Sequence, residues 1–198
     1  MHISIILGHP RADSLCCALA GMAADVARAA GHQVCYHDLQ VEGFDPVLVA
    51  GEEPAGGPVP PMVELHCREI ARADGIVIVH PNWWGMPPAI LTGWVDRVLR
   101  PGVAYRFEDD DAGEGIPIGL LRARSAIIFN TSNTPPEREA RVFGDPLERI
   151  WKNCIFGLCG VSRVERRSFS VVVTSTKAER ESWLAQARAI VARHFPAG

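Results

Sequence analysis

Short runs of β-branched and other apolar residues alternate with segments whose apolar residues recur at helical spacing, and this alternation constrains the fold most strongly. The clearest run, residues 75–80, is apolar on both faces, as in a central strand of a parallel sheet. The pattern predicts five strands, over residues 3–7, 33–39, 75–80, 125–131 and 164–173. Right-handed crossovers through the intervening helices bury such a sheet between two helical layers, so we expect a doubly wound α/β fold.

Composition narrows the class of protein. Of the 198 residues, 47% are hydrophobic and 22% are charged, which suits a single domain over residues 1–198. The net charge of -3 gives no electrostatic basis for nucleic-acid binding. No apolar run approaches the roughly 20 residues of a membrane-spanning helix, and the start lacks a basic secretory segment, so we expect a cytoplasmic protein. The cysteines and histidines lack the spacing of a disulfide framework or metal site, so we expect neither.

Polar residues at three positions are placed to cap helices. Ser14 precedes an apolar helical face, and the spacing of Thr176 and Glu179 is that of a capping box. Asp145 and Glu148 have the same spacing. We therefore expect helices to begin directly after Ser14, Asp145 and Thr176.

In a doubly wound sheet, ligands bind beyond the carboxyl ends of the strands. Three segments follow predicted strands at that edge, over residues 8–16, 80–91 and 130–136. The first opens a helix, where free amide groups and the helix dipole favour a phosphate, but it lacks the glycine patterns of dinucleotide- and NTP-binding loops. Each segment alone is also explained as an ordinary turn, whereas three at one edge favour a binding site.

Trp83 and Trp84 follow the central strand and are flanked by prolines. Two indoles at the mouth of a strand suit a planar aromatic ligand, which apolar walls shield from water. The alternative places both indoles in the core, but two adjacent side chains cannot easily both point inward.

Three segments together resemble the flavodoxin-like NAD(P)H:quinone reductases, a group that includes DT-diaphorase, the modulator of drug activity and the ancillary flavoproteins of potassium-efflux channels. The resemblance runs from Ile3 to about Val173. It rests on Gly8-His9-Pro10 with Ser14, on the stretch from Pro81 to Val98, and on Ala104-Tyr105. It implies a flavodoxin-like doubly wound sheet of five parallel strands in the order 2-1-3-4-5.

The resemblance also implies a flavin held without a covalent bond at the strand ends. Residues after the first strand would contact its phosphate and ribityl chain: His9, Ser14, Leu15 and Cys16. Residues after the third strand would border its isoalloxazine ring: Pro81, Asn82, Trp83 and Trp84. Residues after the fourth strand would face the polar edge of the ring: Thr131, Ser132, Asn133 and Thr134. Relatives of this kind are usually homodimers with the active site at the interface, so Tyr105 would belong to the substrate pocket.

This chain departs from the family pattern at the fourth strand. Thr131-Ser132-Asn133-Thr134 stands where the family usually has Thr-Thr-Gly-Gly. The best-known members then place a Tyr and a His that assist hydride transfer, whereas Glu137–Asp145 contains neither. We therefore assign no catalytic residue from the sequence.

The resemblance implies an NAD(P)H dehydrogenase that reduces quinones or similar acceptors by two-electron, ping-pong hydride transfer. Two alternatives stay open: an electron-carrier flavodoxin, and a flavin-binding regulatory subunit of a potassium-efflux system. The subunit would contact a membrane channel, and the acidic run Glu108–Asp111 is a candidate docking surface or merely a solvated loop. FAD is favoured, with FMN as the alternative, while the choice between NADH and NADPH and the physiological acceptor are open.

Overall fold

The computed structural model describes residues 1–52, 57–108 and 115–197. The main sheet contains five parallel strands: β1 (His2–Leu7), β2 (Gln33–Asp38), β3 (Gly75–Pro81), β6 (Ser125–Ser132) and β7 (Arg163–Ser170). Two short strands, β4 (Tyr105–Arg106) and β5 (Ile118–Gly119), form a separate antiparallel pair that the hydrophobic pattern does not predict. The main sheet has the order β2-β1-β3-β6-β7, which is the expected 2-1-3-4-5 order of its own strands.

The two central strands of the sheet are buried along their whole length. Every residue of β3 and of β6 is buried, and Val77 lies opposite Ile127 in the parallel register. A strand covered on both faces needs apolar side chains at consecutive positions, which explains the unbroken apolar runs in the sequence. The register also places the ends of both strands side by side, with His80 opposite Asn130 and Pro81 opposite Thr131.

Helices cover both faces of the sheet. They are α1 (Leu15–Ala29), α2 (Pro61–Arg72), α3 (Ala89–Val98), α4 (Pro136–Arg138), α5 (Pro146–Arg149) and α6 (Lys177–His194). Two π-helical segments follow directly on α4 and α5, over Glu139–Phe143 and Ile150–Gly157. One apolar core lies between the sheet and helices α1 and α6. The other lies beneath α2, α3 and the Ile150–Gly157 segment. The predicted doubly wound fold is confirmed.

Helices begin directly after Ser14, Asp145 and Thr176, as predicted, but only Ser14 and Thr176 form the expected side-chain caps. Ser14 Oγ accepts a hydrogen bond from the Cys17 amide, and Thr176 with Glu179 forms a reciprocal capping box. Asp145 has a left-handed backbone (φ 44°) and makes no side-chain cap. Its carboxylate pairs instead with Arg166, to which Glu148 also binds at 2.8 Å. Both acidic side chains that the local spacing assigns to capping therefore bind the buried guanidinium of Arg166.

The long loop after β2 is anchored to α3 by a buried ion pair. Arg97 is 3% exposed and binds both carboxylate oxygens of Glu52, at 2.9 and 2.6 Å. Most of the acidic run at Glu108–Asp111 lies outside the described residues. Within the described ranges, none of the helices combines the length and apolar character needed to span a membrane.

Candidate functional site

A cavity of about 890 Å³ lies at the carboxyl edge of the main sheet. The segments that follow β1, β3 and β6 all line it, as the edge rule for doubly wound sheets predicts. Eleven of the twelve residues predicted to hold a cofactor are among its lining residues: His9, Ser14, Leu15, Pro81, Asn82, Trp83, Trp84, Thr131, Ser132, Asn133 and Thr134.

Cys16 is the predicted residue that does not line the cavity. Its side chain is fully buried, and its Sγ lies 3.3 Å from Thr131 Oγ1. Burial raises the pKa of the Cys16 thiol to about 12, so the group stays protonated. Cys16 therefore links the first turn of α1 to the end of β6 from beneath the cavity.

One end of the cavity is formed by the start of α1. The first amide groups of a helix have no intrahelical partner, and no acidic residue lies in the first turn of α1 to neutralise them. His9 Nδ1 accepts a hydrogen bond from the Arg11 amide at 3.0 Å, and burial lowers the pKa of His9. Arg11 pairs with Asp13 at 2.9 Å. This end, which we call the anion end, offers backbone donors and a helix dipole to a phosphate.

A tight hairpin turn beside the anion end carries the two tryptophans, and the ring of Trp83 lies 6.3 Å from the ring of His9. The Trp83 amide donates to the Met86 carbonyl at 3.1 Å, and the Met86 amide returns a bond to Trp83 at 2.9 Å. Trp84 and Gly85 both have positive φ, 58° and 74°, as a type I′ turn requires. Trp84 is 98% exposed and Trp83 is 46% exposed. The interpretation of both indoles as core residues is therefore wrong.

A buried layer holds the tryptophan turn in place. His80 is fully buried, and it accepts a hydrogen bond from Trp151 Nε1 at 2.9 Å through Nε2. Its Nδ1 therefore carries the proton and donates to the Pro81 carbonyl at 2.8 Å. Burial lowers the pKa of His80 to about 4, so the ring stays neutral and keeps this tautomer.

The segment after β6 forms a polar side of the cavity next to this turn. The Asn82 amide donates to the Thr131 carbonyl at 2.6 Å, which joins the ends of β3 and β6. Ser132 Oγ accepts from the Thr134 amide at 3.0 Å, and Asn133 Oδ1 accepts from the Val173 amide at 2.9 Å. These bonds shape a hydroxyl- and amide-lined wall without the glycines that the family usually has there.

Sequence reasoning missed the remaining wall, which we call the π wall: the segment Glu139–Pro146, which includes the π-helical turn. Glu139, Phe143 and Pro146 line the cavity, and Pro146 packs so closely on Gly85 that a Cβ there would meet it at 2.6 Å. Arg180, near the start of α6, also lines the cavity. No spacing rule marks these residues, since burial alone distinguishes Glu139 from its exposed neighbours.

Tyr105 is not brought to this cavity. It lines a second cavity of about 360 Å³, together with Phe107, Cys154 and Leu158. Its assignment to a substrate pocket stays a prediction.

A cluster of potential metal ligands lies elsewhere, between β2 and α2. Single ligand atoms of His37, Glu42 and His66 lie within 4.8 Å of one another. Trp94 Nε1 donates to His66 Nδ1 at 2.9 Å, so the neutral ring of His66 carries its proton on Nε2, which faces Glu42 at 3.3 Å. His37 lies between Glu42 and Glu69, at 2.9 and 2.6 Å. Hydrogen bonds within the cluster therefore occupy the nitrogens that a metal ion would need.

Comparison with known proteins identifies relatives of this chain. A family model described as having the flavodoxin-like fold matches residues 1–194. An uncharacterized NAD(P)H oxidoreductase of Haemophilus influenzae is 32% identical over 174 residues, which are 85% of this chain and 83% of the relative. An FMN-dependent NADH:quinone oxidoreductase of Cereibacter sphaeroides is 29% identical over 49% of this chain and 45% of its own.

A solved structure covers almost the whole chain. The NAD(P)H:quinone oxidoreductase of Methanothermobacter marburgensis superposes with a TM-score of 0.80 and 25% identity. The match covers 96% of this chain and 97% of the other.

Proposed function

We propose that this chain, which belongs to the family with the flavodoxin-like fold, is a flavin-dependent NAD(P)H dehydrogenase that reduces quinones or similar acceptors. The family match extends over residues 1–194. Similar proteins named as NAD(P)H oxidoreductases and NAD(P)H:quinone oxidoreductases support the activity. The observation that carries the proposal is one cavity that brings together the anion end at the start of α1 and the exposed indoles of Trp83 and Trp84.

The residues present fit a flavin. The free amides of the first turn of α1 and the hydroxyl of Ser14 suit a phosphate. Next to this end, Trp83 and the segment Thr131–Thr134 border a space with apolar and hydrogen-bonding sides. A volume of about 890 Å³ lies within the range of sites that enclose a cofactor. When bound there, a flavin supplies a ring that accepts a hydride from NAD(P)H and passes two electrons to a quinone.

The chain's own contribution is to position the ligands and to exclude water. His80 and Asn82 hold the tryptophan turn, through the Pro81 carbonyl and the Gly85 amide respectively. The exposed indole of Trp84 is among the lining residues of the cavity, where it can contact a planar ligand. Amide groups of the segment Thr131–Thr134 are candidates to stabilise negative charge that develops on such a ligand.

The identity of the flavin is a finer part of the proposal. The resemblance of Pro81–Tyr105 to FAD-using members favours FAD, whereas the name of the Cereibacter relative supports FMN. Denaturing the purified protein and separating the released flavin by chromatography distinguishes the two. We also propose a cytoplasmic homodimer, as the resemblance implies, in which Tyr105, which lines a different cavity in its own chain, would serve the site of the partner. No feature of the described residues favours a channel-regulating or purely electron-carrying role.

The activity is tested with flavin-loaded protein under anaerobic conditions. We expect NADH or NADPH to bleach the flavin absorbance and a benzoquinone to restore it, over many cycles. A protein that binds flavin but is not reduced by either nicotinamide would be an electron carrier, and the proposed activity would be wrong.

A further inference from the structure

The cavity contains a buried carboxylate for which the described part of the chain provides no partner. Glu139 is 9% exposed and lines the cavity. The other buried acidic and guanidinium side chains of the described ranges have partners: Arg97 pairs with Glu52, and Arg100 donates to the Glu52 carbonyl. Glu139 makes no ion pair and no side-chain hydrogen bond with any described residue.

The position of this carboxylate is held by an anchored segment. Glu139 begins the π-helical turn, and its carbonyl accepts a hydrogen bond from the Asp145 amide at 3.2 Å. Asp145 pairs with Arg166, which also binds Glu148. Arg166 is itself held in position because it donates a hydrogen bond to Asn130 Oδ1 at 2.7 Å. The π wall therefore holds Glu139 against the cavity through contacts that do not involve its carboxylate.

A carboxylate at a cavity wall without a protein partner is available to a ligand, and an ionised carboxylate can only accept hydrogen bonds. The missing partner must therefore be a hydrogen-bond donor. Because Pro146 of the same wall packs on Gly85, Glu139 lies on the wall of the cavity that adjoins the tryptophan turn. That turn suits the planar part of a ligand, whose available donors are ring or amide N–H groups.

We propose that Glu139 is a ligand-recognition residue whose carboxylate accepts a hydrogen bond from an imide or carboxamide N–H of a bound planar ligand. This inference rests on the proposed function for the identity of the ligands. Two of them carry such a group: the flavin has an imide N–H in its ring, and the nicotinamide has a carboxamide. Neither the residue spacing in the sequence nor the Tyr and His pattern of the family predicts a role for Glu139.

The flavin is tested first, by titrating apoprotein with flavin and with its N3-methyl derivative while following flavin fluorescence. If the imide is the donor, wild-type protein binds the methylated flavin ~10- to 100-fold more weakly, since a hydrogen bond to a charged group has that value. Glu139→Ala binds both flavins equally and the natural flavin ~10- to 100-fold more weakly. Glu139→Gln lies between, because its amide oxygen still accepts.

The nicotinamide is tested by equilibrium binding of NAD(P)⁺ and of its 3-acetylpyridine analogue, which lacks the carboxamide N–H. If this group is the donor, wild-type protein discriminates against the analogue and Glu139→Ala does not. Glu137→Ala is the matched control, because Glu137 is exposed and lies outside the cavity lining. It should behave as wild type with all four ligands.

Discrimination that depends on Glu139 in either assay supports the proposal and identifies the donor. Equal discrimination by wild type and Glu139→Ala in both assays overturns it, as does the absence of any binding. Circular dichroism of the apoproteins checks that the variant is folded. Binding that depends on Glu139 in a protein that reduces no quinone would leave this inference standing while the proposed activity fails.

Discussion

The two ends of the main sheet use similar side chains in opposite ways. At the amino end, His194 lies between Ser125 at 2.5 Å and Glu165 at 2.7 Å, and Arg193 also binds Glu165. At the carboxyl end, Glu139 is buried without a described partner, and Trp84 is almost fully exposed on a left-handed backbone. Satisfied networks stabilise a fold, whereas unsatisfied groups at a cavity indicate a site that a ligand completes.

The largest expected effect is a loss of stability in acid, because His80 at the carboxyl end is buried in its neutral form. His80 has a pKa of about 4 because it is buried, against 6.5 in the unfolded chain. As the pH falls from 6.5 to about 4, the unfolded state binds a proton that folded His80 does not, so the free energy of unfolding falls by about 3 kcal/mol. Urea denaturation at pH values across this window measures the change.

A pair of histidine variants sharpens this comparison. His80→Gln should reduce the fall in the free energy of unfolding between pH 6.5 and about 4, relative to wild type. His194→Gln should reduce this fall less, because burial lowers the pKa of His194 but its hydrogen bond with Glu165 opposes that effect. An equal reduction by both variants would contradict the difference between the two ends.

Breaking the ion pairs behind the π wall should have the next largest effect. Arg166→Met leaves Asp145 and Glu148 without their buried cation. We expect a loss of about 2 kcal/mol rather than the larger value of a fully buried pair, because water reaches both carboxylates. Urea denaturation measures it, with the exposed Arg141→Met as the control. A loss no greater than that of the control would show that the wall is held in another way.

Neutralising one glutamate at each end should change stability in opposite directions. Glu165→Gln weakens the contacts with Arg193 and His194 and should cost about 1 kcal/mol, since this carboxylate is partly exposed. Glu139→Gln removes an unpaired buried charge and should stabilise the apoprotein by about 1 kcal/mol. Thermal unfolding of both apoproteins measures the direction of each change in stability. Lower stability in both variants would contradict the account.

The smallest effect is expected at the tryptophan turn. Trp84→Gly relieves a left-handed backbone, which costs about 1–2 kcal/mol for a non-glycine residue, but adds freedom to the unfolded chain. The apoprotein should therefore gain about 0.5 kcal/mol. Gly85→Ala is the matched opposite, because its φ is 74° and its new Cβ would meet Pro146. A Trp84→Gly variant that unfolds at a lower temperature than wild type would contradict the strained conformation.

The sequence predicts the sheet and the loops at its edge because both depend on local patterns. Runs of apolar residues identify β3 and β6, and the edge rule then places Trp83 and Thr131 together. Contacts between distant residues are not encoded in this way. Arg166 binds Asp145 across the fold, so the spacing of Asp145 and Glu148 predicted the start of α5 but not the loss of its side-chain cap.

Glu139 illustrates the same limit at the site. It lies two positions after Glu137, with the same side chain and an arginine on one side of each. Only the π-helical turn, together with the docking of Pro146 on Gly85, buries one and exposes the other. Local propensity does not determine which residue of such a turn faces a cavity, because tertiary packing selects it.

Calorimetric titration of the apoprotein with flavin tests the central claim most directly, since that claim is that the carboxyl-edge cavity is a site for a planar redox ligand. We predict saturable binding of one flavin to each chain, and weaker binding by Trp83→Ala. Heat of dilution alone, or binding that the loss of the Trp83 indole leaves unchanged, would contradict the assignment of this cavity.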